Sequence, residues 1–239
     1  MPPTTWQDDL TAAARPLAAA MTAGFVAGLA IGGIGGRLAM FVLRLTSDPN
    51  LRGLETDDGF TIGVFSSATV FLLGLTAFGG MVGGIVYLAM RSWLPERARP
   101  WIFGAFAAVV GGALVIRPNG IDFTLLEPLW LAVAMFIALP AAYGVALSLL
   151  AERLLLRRGA FGGPKAWVAG LVLLLPLGLF GPVGLAVLAV IVAALLLNRS
   201  PQMRSIWTSQ PVVWIGRAGL AVVAVVAAAS LVRDVTEIL

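Results

Sequence analysis

The sequence predicts an all-α fold, a polytopic transmembrane helix bundle of seven spans. Three observations predict it. Of 239 residues, 59% are hydrophobic and 12% are charged, far from the balance of a soluble domain. The apolar residues gather in long runs separated by short stretches that hold most of the charges, and about 20 such residues cross the hydrocarbon core of a bilayer. Glycine recurs at four-residue steps inside these runs, which suits helix backbones closing on one another in a membrane. In water, each interior glycine would cost a helix about 1 kcal/mol relative to alanine.

Residues 1–16 read as an N-terminal interfacial segment. Asp8 and Asp9 stand where a secretory signal would carry positive charge, and the apolar run behind them is too long for its core. A short helix is expected from Thr5 to Arg15, with Thr5 as its cap and Trp6 at headgroup level. Pro16 then suits the first turn of the first span.

Residues 17–151 read as a glycine-rich core of four helices with two outer loops. The first helix, Leu17 to Leu45, would be about 43 Å long, more than the bilayer core requires. Its Gly24, Gly28, Gly32 and Gly36 lie four apart and form a ridge without side chains on an α-helix. Arg37 follows the ridge, and Arg44 shares its face seven residues on. The polar connection Thr46 to Phe60 holds Asp48, Glu55, Asp57 and Asp58. A second helix, from about Ile62 to Met90, carries Gly79, Gly80, Gly83 and Gly84 and is the expected partner of the ridge. A third, Trp101 to Ile116, repeats the spacing with Gly104, Ala108 and Gly112. After a turn bearing Asp122 and Glu127, a fourth runs from Leu129 to Leu150, with a kink expected at Pro140.

Residues 152–239 read as three further spans. The stretch from Ala166 to Asn198 is two short helices broken at Gly181-Pro182, a re-entrant hairpin, or one long kinked helix. Charge favours two. With the N-terminus inside, ten basic residues of the connecting segments face the cytoplasm (Arg15, Arg91, Arg97, Arg99, Arg153, Arg157, Arg158, Lys165, Arg199 and Arg204) and four face outward (Arg44, Arg52, Arg117 and Arg233). One helix there weakens the bias. The last span runs from Val212 to about Val232 and leaves the C-terminus outside. The expected location is the plasma membrane.

The chain has no cysteine and no histidine, which removes disulfides, thiolate nucleophiles, haem and most zinc or copper sites. No cofactor is expected. The basic residues are dispersed at the ends of apolar runs, so the calculated pI near 10.6 signals topology rather than nucleic acid. Motifs for phosphate loops, nucleophile elbows, zinc proteases and prenyl-diphosphate chemistry are all missing. Glu55, Asp57 and Asp58 offer oxygen ligands to a hard cation, but ETDDGF lacks the alternation of a calcium loop and fits a solvated surface better.

Arg37 is the sharpest residue in the chain. A guanidinium within a span costs at least about 2.5 kcal/mol on insertion scales and is functional by default. Its structural alternatives are pairing with a carboxylate or helix carbonyls, or snorkelling outward past Arg44. Arg217, five residues into the last span, fits snorkelling to the near headgroups.

The segments GGIGGRLAMFVLRL, TDDGFTIG and NGIDFTLLEPLWLAVAMFIALPAAYG resemble a group of uncharacterised multi-spanning membrane proteins of actinobacterial type. The likeness covers about the first four helices and implies a helical membrane fold with no particular activity. It agrees with the residues themselves in placing the distinctive positions in the N-terminal half.

Three functional readings follow. The first is binding or translocation of a small anionic or amphipathic ligand, a lipid being one candidate, at Arg37 and Arg44. The second is an intramembrane enzyme acting on a lipid or isoprenoid, with Asp122 or Glu127 as general acid. The third is a non-catalytic assembly partner whose glycine ridge docks on a second copy or another membrane protein. Membrane lipids are expected partners in each.

Overall fold

The computed structural model describes residues 6–48, 67–120, 123–124, 127–156, 168, 172, 181–199 and 201–239. These residues are helical, with no strand among them. Helix α1 is Trp6–Ala27; it passes through a π-helical stretch, Gly28–Gly35, into α2, Gly36–Thr46. Then come α3 (Ser67–Met90), a single 3-10 turn (Glu96–Ala98), α4 (Arg99–Val115), α5 (Leu129–Leu155), α6 (Gly181–Arg199), α7 (Pro201–Trp207) and α8 (Gln210–Ile238).

Five helical segments among the described residues are long and apolar enough to cross a membrane: Thr11–Thr46, Thr69–Met90, Glu96–Val115, Leu129–Leu155 and Gln210–Ile238. They match the first four expected spans and the last. Of the ambiguous stretch 166–198, the described helix starts at Gly181, whose φ of 56° is the left-handed conformation that glycine tolerates. Most of the stretch before it lies outside the described residues.

Three boundaries differ from expectation. First, α1 runs unbroken through Pro16, so no joint separates an interfacial helix from the first span. A proline inside a helix removes one main-chain hydrogen bond, and here the buried face from Ala13 to Ala20 packs over that loss. Second, α5 continues to Leu155 instead of stopping at Leu150, so Glu152 sits on a helix and faces its neighbours. Third, α8 continues past Val232 to Ile238, carrying the buried carboxylate of Asp234.

Helix α1 is the hub. Ala18 and Ala19 pack against Leu154 and Leu155 of α5, and Leu17 and Met21 meet Met81 of α3 and Ile191 of α6. Alanine and glycine make this possible, because only short side chains let one helix touch three others at once. Beside it, α4 and α5 close tightly: a Cβ at Gly144 would lie 2.9 Å from the Gly104 Cα, and one at Gly111 would lie 2.6 Å from the Pro140 ring. Gly104 and Gly111 therefore face α5, while Gly112 turns toward Leu231 of α8. The evenly spaced series Gly104, Ala108, Gly112 thus serves two neighbours rather than one.

Exposed side chains are apolar along the helices, including Phe71 on α3, Leu114 on α4 and Val225 and Val226 on α8. Exposed tryptophans stand near helix ends, with Trp101 and Trp214 at one end of the bundle and Trp130 at the other. Amphipathic rings at those levels suit a membrane interface.

Candidate functional site

The glycine contacts decide where the first helix presents its arginines. A Cβ on Gly24 would run into the Gly80 carbonyl, and one on Gly28 into the Thr76 carbonyl and the Gly80 Cα. Gly80 and Gly84 are equally closed, by Gly24 and Gly28 and by the Ala20 carbonyl. Backbone therefore meets backbone along α1 and α3, the close approach that glycine permits between membrane helices. Tyr143 of α5 fixes the seam from the side, its hydroxyl donating to the Gly80 carbonyl at 2.8 Å.

Past Gly28 the four-residue rule breaks. In a π-helix the hydrogen bond runs from i to i+5, so residues four apart no longer stack. Gly33 takes over the contact: it is buried, and a Cβ there would lie 2.7 Å from Leu73 and 2.9 Å from the Thr76 hydroxyl. Gly32 is looser, 3.2 Å from Thr76, and Gly36 has nothing within 4 Å. The ridge on α3 is thus Gly24, Gly28 and Gly33. Gly32 and Gly36, expected on it from an α-helical step, have turned aside.

Four residues after Gly33 comes Arg37, which the same geometry brings onto α3. Its Nη2 donates to the Thr69 hydroxyl at 2.7 Å, and Thr69 is buried. Arg44, half-buried two turns further along, has its Nε enclosed without a hydrogen-bond partner among the described residues. Next to these arginines Ile34, Leu38, Phe41 and Leu45 are all exposed. At the end of α2 the Thr46 and Ser47 hydroxyls both donate to the Glu127 carbonyl, at 2.9 and 3.1 Å.

The other expected site residues divide as follows. Glu127 is exposed, and the contact it makes with α2 is through its main chain rather than its carboxylate. Asp122 lies outside the described residues, as do Glu55, Asp57 and Asp58. Among the described residues no group of three or more ligands suits a metal. Arg217 reaches the adjacent end of the bundle, where its Nε donates to the Trp93 carbonyl at 2.8 Å and its guanidinium lies 5.5 Å from the Trp214 ring centre.

The structure also shows a cluster that sequence reasoning missed. Glu152 of α5 accepts two hydrogen bonds from Arg91, at 2.7 and 2.8 Å, and one from the buried hydroxyl of Tyr87 at 2.7 Å. Ser148, also buried, donates to the Tyr87 oxygen at 3.0 Å, and Arg99 stands 3.5 Å from the same carboxylate. The bond to Glu152 raises the Arg91 pKa above its ordinary value. Two helix-spaced pairs, Tyr87 with Arg91 and Ser148 with Glu152, carried the only signal in the sequence. Every polar group in this cluster has a partner, and it ties α3, α4 and α5 together.

No protein-family model, curated protein or solved structure matches this chain.

Proposed function

We propose that the protein is a seven-span plasma-membrane protein that binds or translocates an anionic amphipathic ligand of lipid type, held by Arg37 and Arg44 in the outer half of the bilayer. In this reading the N-terminus and the Arg91 end are cytoplasmic and the C-terminus is outside, as the distribution of basic residues favours.

The observation that supports it is Arg44. A buried donor without an acceptor costs about 1 to 3 kcal/mol, and turning the half-buried side chain toward an anionic oxygen outside the chain would recover that. Arg37, on the same side of α2, adds a second positive charge, held to α3 by its hydrogen bond to Thr69. The exposed Ile34, Phe41 and Leu45 beside them suit acyl chains. Charge next to an apolar strip matches a ligand with an anionic head and a hydrocarbon tail.

The test is native mass spectrometry of the protein in nanodiscs of mixed phosphatidylglycerol and phosphatidylcholine. The native chain is expected to retain phosphatidylglycerol selectively and Arg44→Gln to lose most of that selectivity. Equal retention by both would remove the site.

A further inference from the structure

Between Gly32 and Ser47 several positions keep their character when the sequence is shifted by one residue. The π-helical stretch places Gly33 and Arg37 against α3. Were the stretch to tighten into an α-helix, each residue of α2 would move into the place of the one after it. That motion is a rotation of about 100° with an advance of about 1.5 Å.

Several of the exchanges this motion makes keep the character of the place. Gly32 replaces Gly33 against Leu73 and Thr76, and Gly36 replaces Arg37. Ile34 comes into the place of Gly35, against the flexible tip of Leu139. On the buried side, Val42 replaces Leu43, apolar for apolar, while Leu38 enters the tighter place of Ala39, an overpacking that makes the α register the less stable one without a ligand. Thr46 replaces Ser47, and both already donate to the same Glu127 carbonyl. Arg37 and Arg44 move into the places of Leu38 and Leu45, now 59% and 64% exposed.

We propose that α2 is a two-register element, with Arg37 docked on Thr69 in the π register and both arginines turned outward in the α register. The trigger rests on the ligand reading above; the two registers do not. A ligand shifts such an equilibrium only by its differential affinity. Here the difference is explicit, because a guanidinium turned toward acyl chains is costly unless an anion meets it.

The chain has no native cysteine, so spin labels can be placed at Leu45→Cys and Leu114→Cys, both exposed positions, and read by pulsed electron resonance. In phosphatidylcholine vesicles one distance is expected. With phosphatidylglycerol added, a second should appear, displaced by roughly 8 Å, as expected for a label carried round a helix about 10 Å wide. Deleting Ile34 removes the extra residue of the π-helical stretch and leaves every later residue in its present place, so it should keep the first distance and abolish the second.

A single unchanged distance in both vesicle types overturns the switch, whatever Arg44→Gln does to lipid retention. So does a second distance that survives deletion of Ile34. A second distance of equal weight in both lipids, lost on deletion of Ile34, keeps the two registers and removes the anionic ligand as their trigger.

Discussion

From Ala18 to Gly28 the first long helix is enclosed by backbone and small side chains, whereas from Gly32 to Leu45 much of it faces outward. The arginines near the two halves follow suit. Arg91 and Arg99 meet a carboxylate, and that carboxylate is itself shared with a buried tyrosine. Arg37 meets a neutral hydroxyl, and the Nε of Arg44 meets no acceptor among the described residues. A charge paired with a carboxylate is used up inside the chain, while an enclosed Nε without an acceptor, as on Arg44, is a donor the described fold does not use. In our proposal the first half supplies stability and the second the ligand contact.

The largest effect should come from breaking the closed half at its tightest point. Gly80→Leu places a side chain where the Gly28 Cα and the Gly24 carbonyl already sit, and should cost about 3 kcal/mol or abolish folded yield. Size-exclusion chromatography of the detergent-solubilised variant measures this. A normal monomer peak and melting temperature would mean the seam is not closed as described.

Glu152→Gln comes next. It removes the charge that Arg91 and Arg99 share and should cost about 2 kcal/mol. That is less than a fully buried pair would lose, because the Arg91 and Glu152 side chains are 36% and 31% exposed. Thermal unfolding in detergent gives the value. Tyr143→Phe, which deletes one interhelical hydrogen bond to the Gly80 carbonyl, should cost about 0.6 kcal/mol.

Arg44→Gln should do least to stability, within about 0.5 kcal/mol of the native chain, because its Nε has no hydrogen-bond partner among the described residues. It is also the substitution expected to alter lipid retention most. A loss as large as that of Glu152→Gln would erase the distinction between the two halves.

The spans were legible because crossing a bilayer demands length and apolarity, and both are properties of contiguous sequence. Gly24, Gly28, Gly80 and Gly84 were legible for a similar reason: four-residue spacing on two apolar helices maps directly onto two faces. The Tyr87, Ser148 and Glu152 cluster was not. Its hydrogen bonds join residues 61 and 65 positions apart, and each residue alone looks like an ordinary polar group near a helix end. Arg37 drew attention through its cost in the membrane, but Thr69, its partner, had nothing to mark it among the hydroxyls of the second span.

Sequence alone therefore determined that this is a bundle of apolar helices, which glycines allow two of them to touch, and where a costly guanidinium lies. Tertiary structure decided which way that guanidinium faces. A change from i+4 to i+5 hydrogen bonding between Gly28 and Gly35 displaces every later residue around the axis. Glycine is compatible with either pattern, so only the fit of this stretch against Leu73, Thr76 and Leu139 could choose between them.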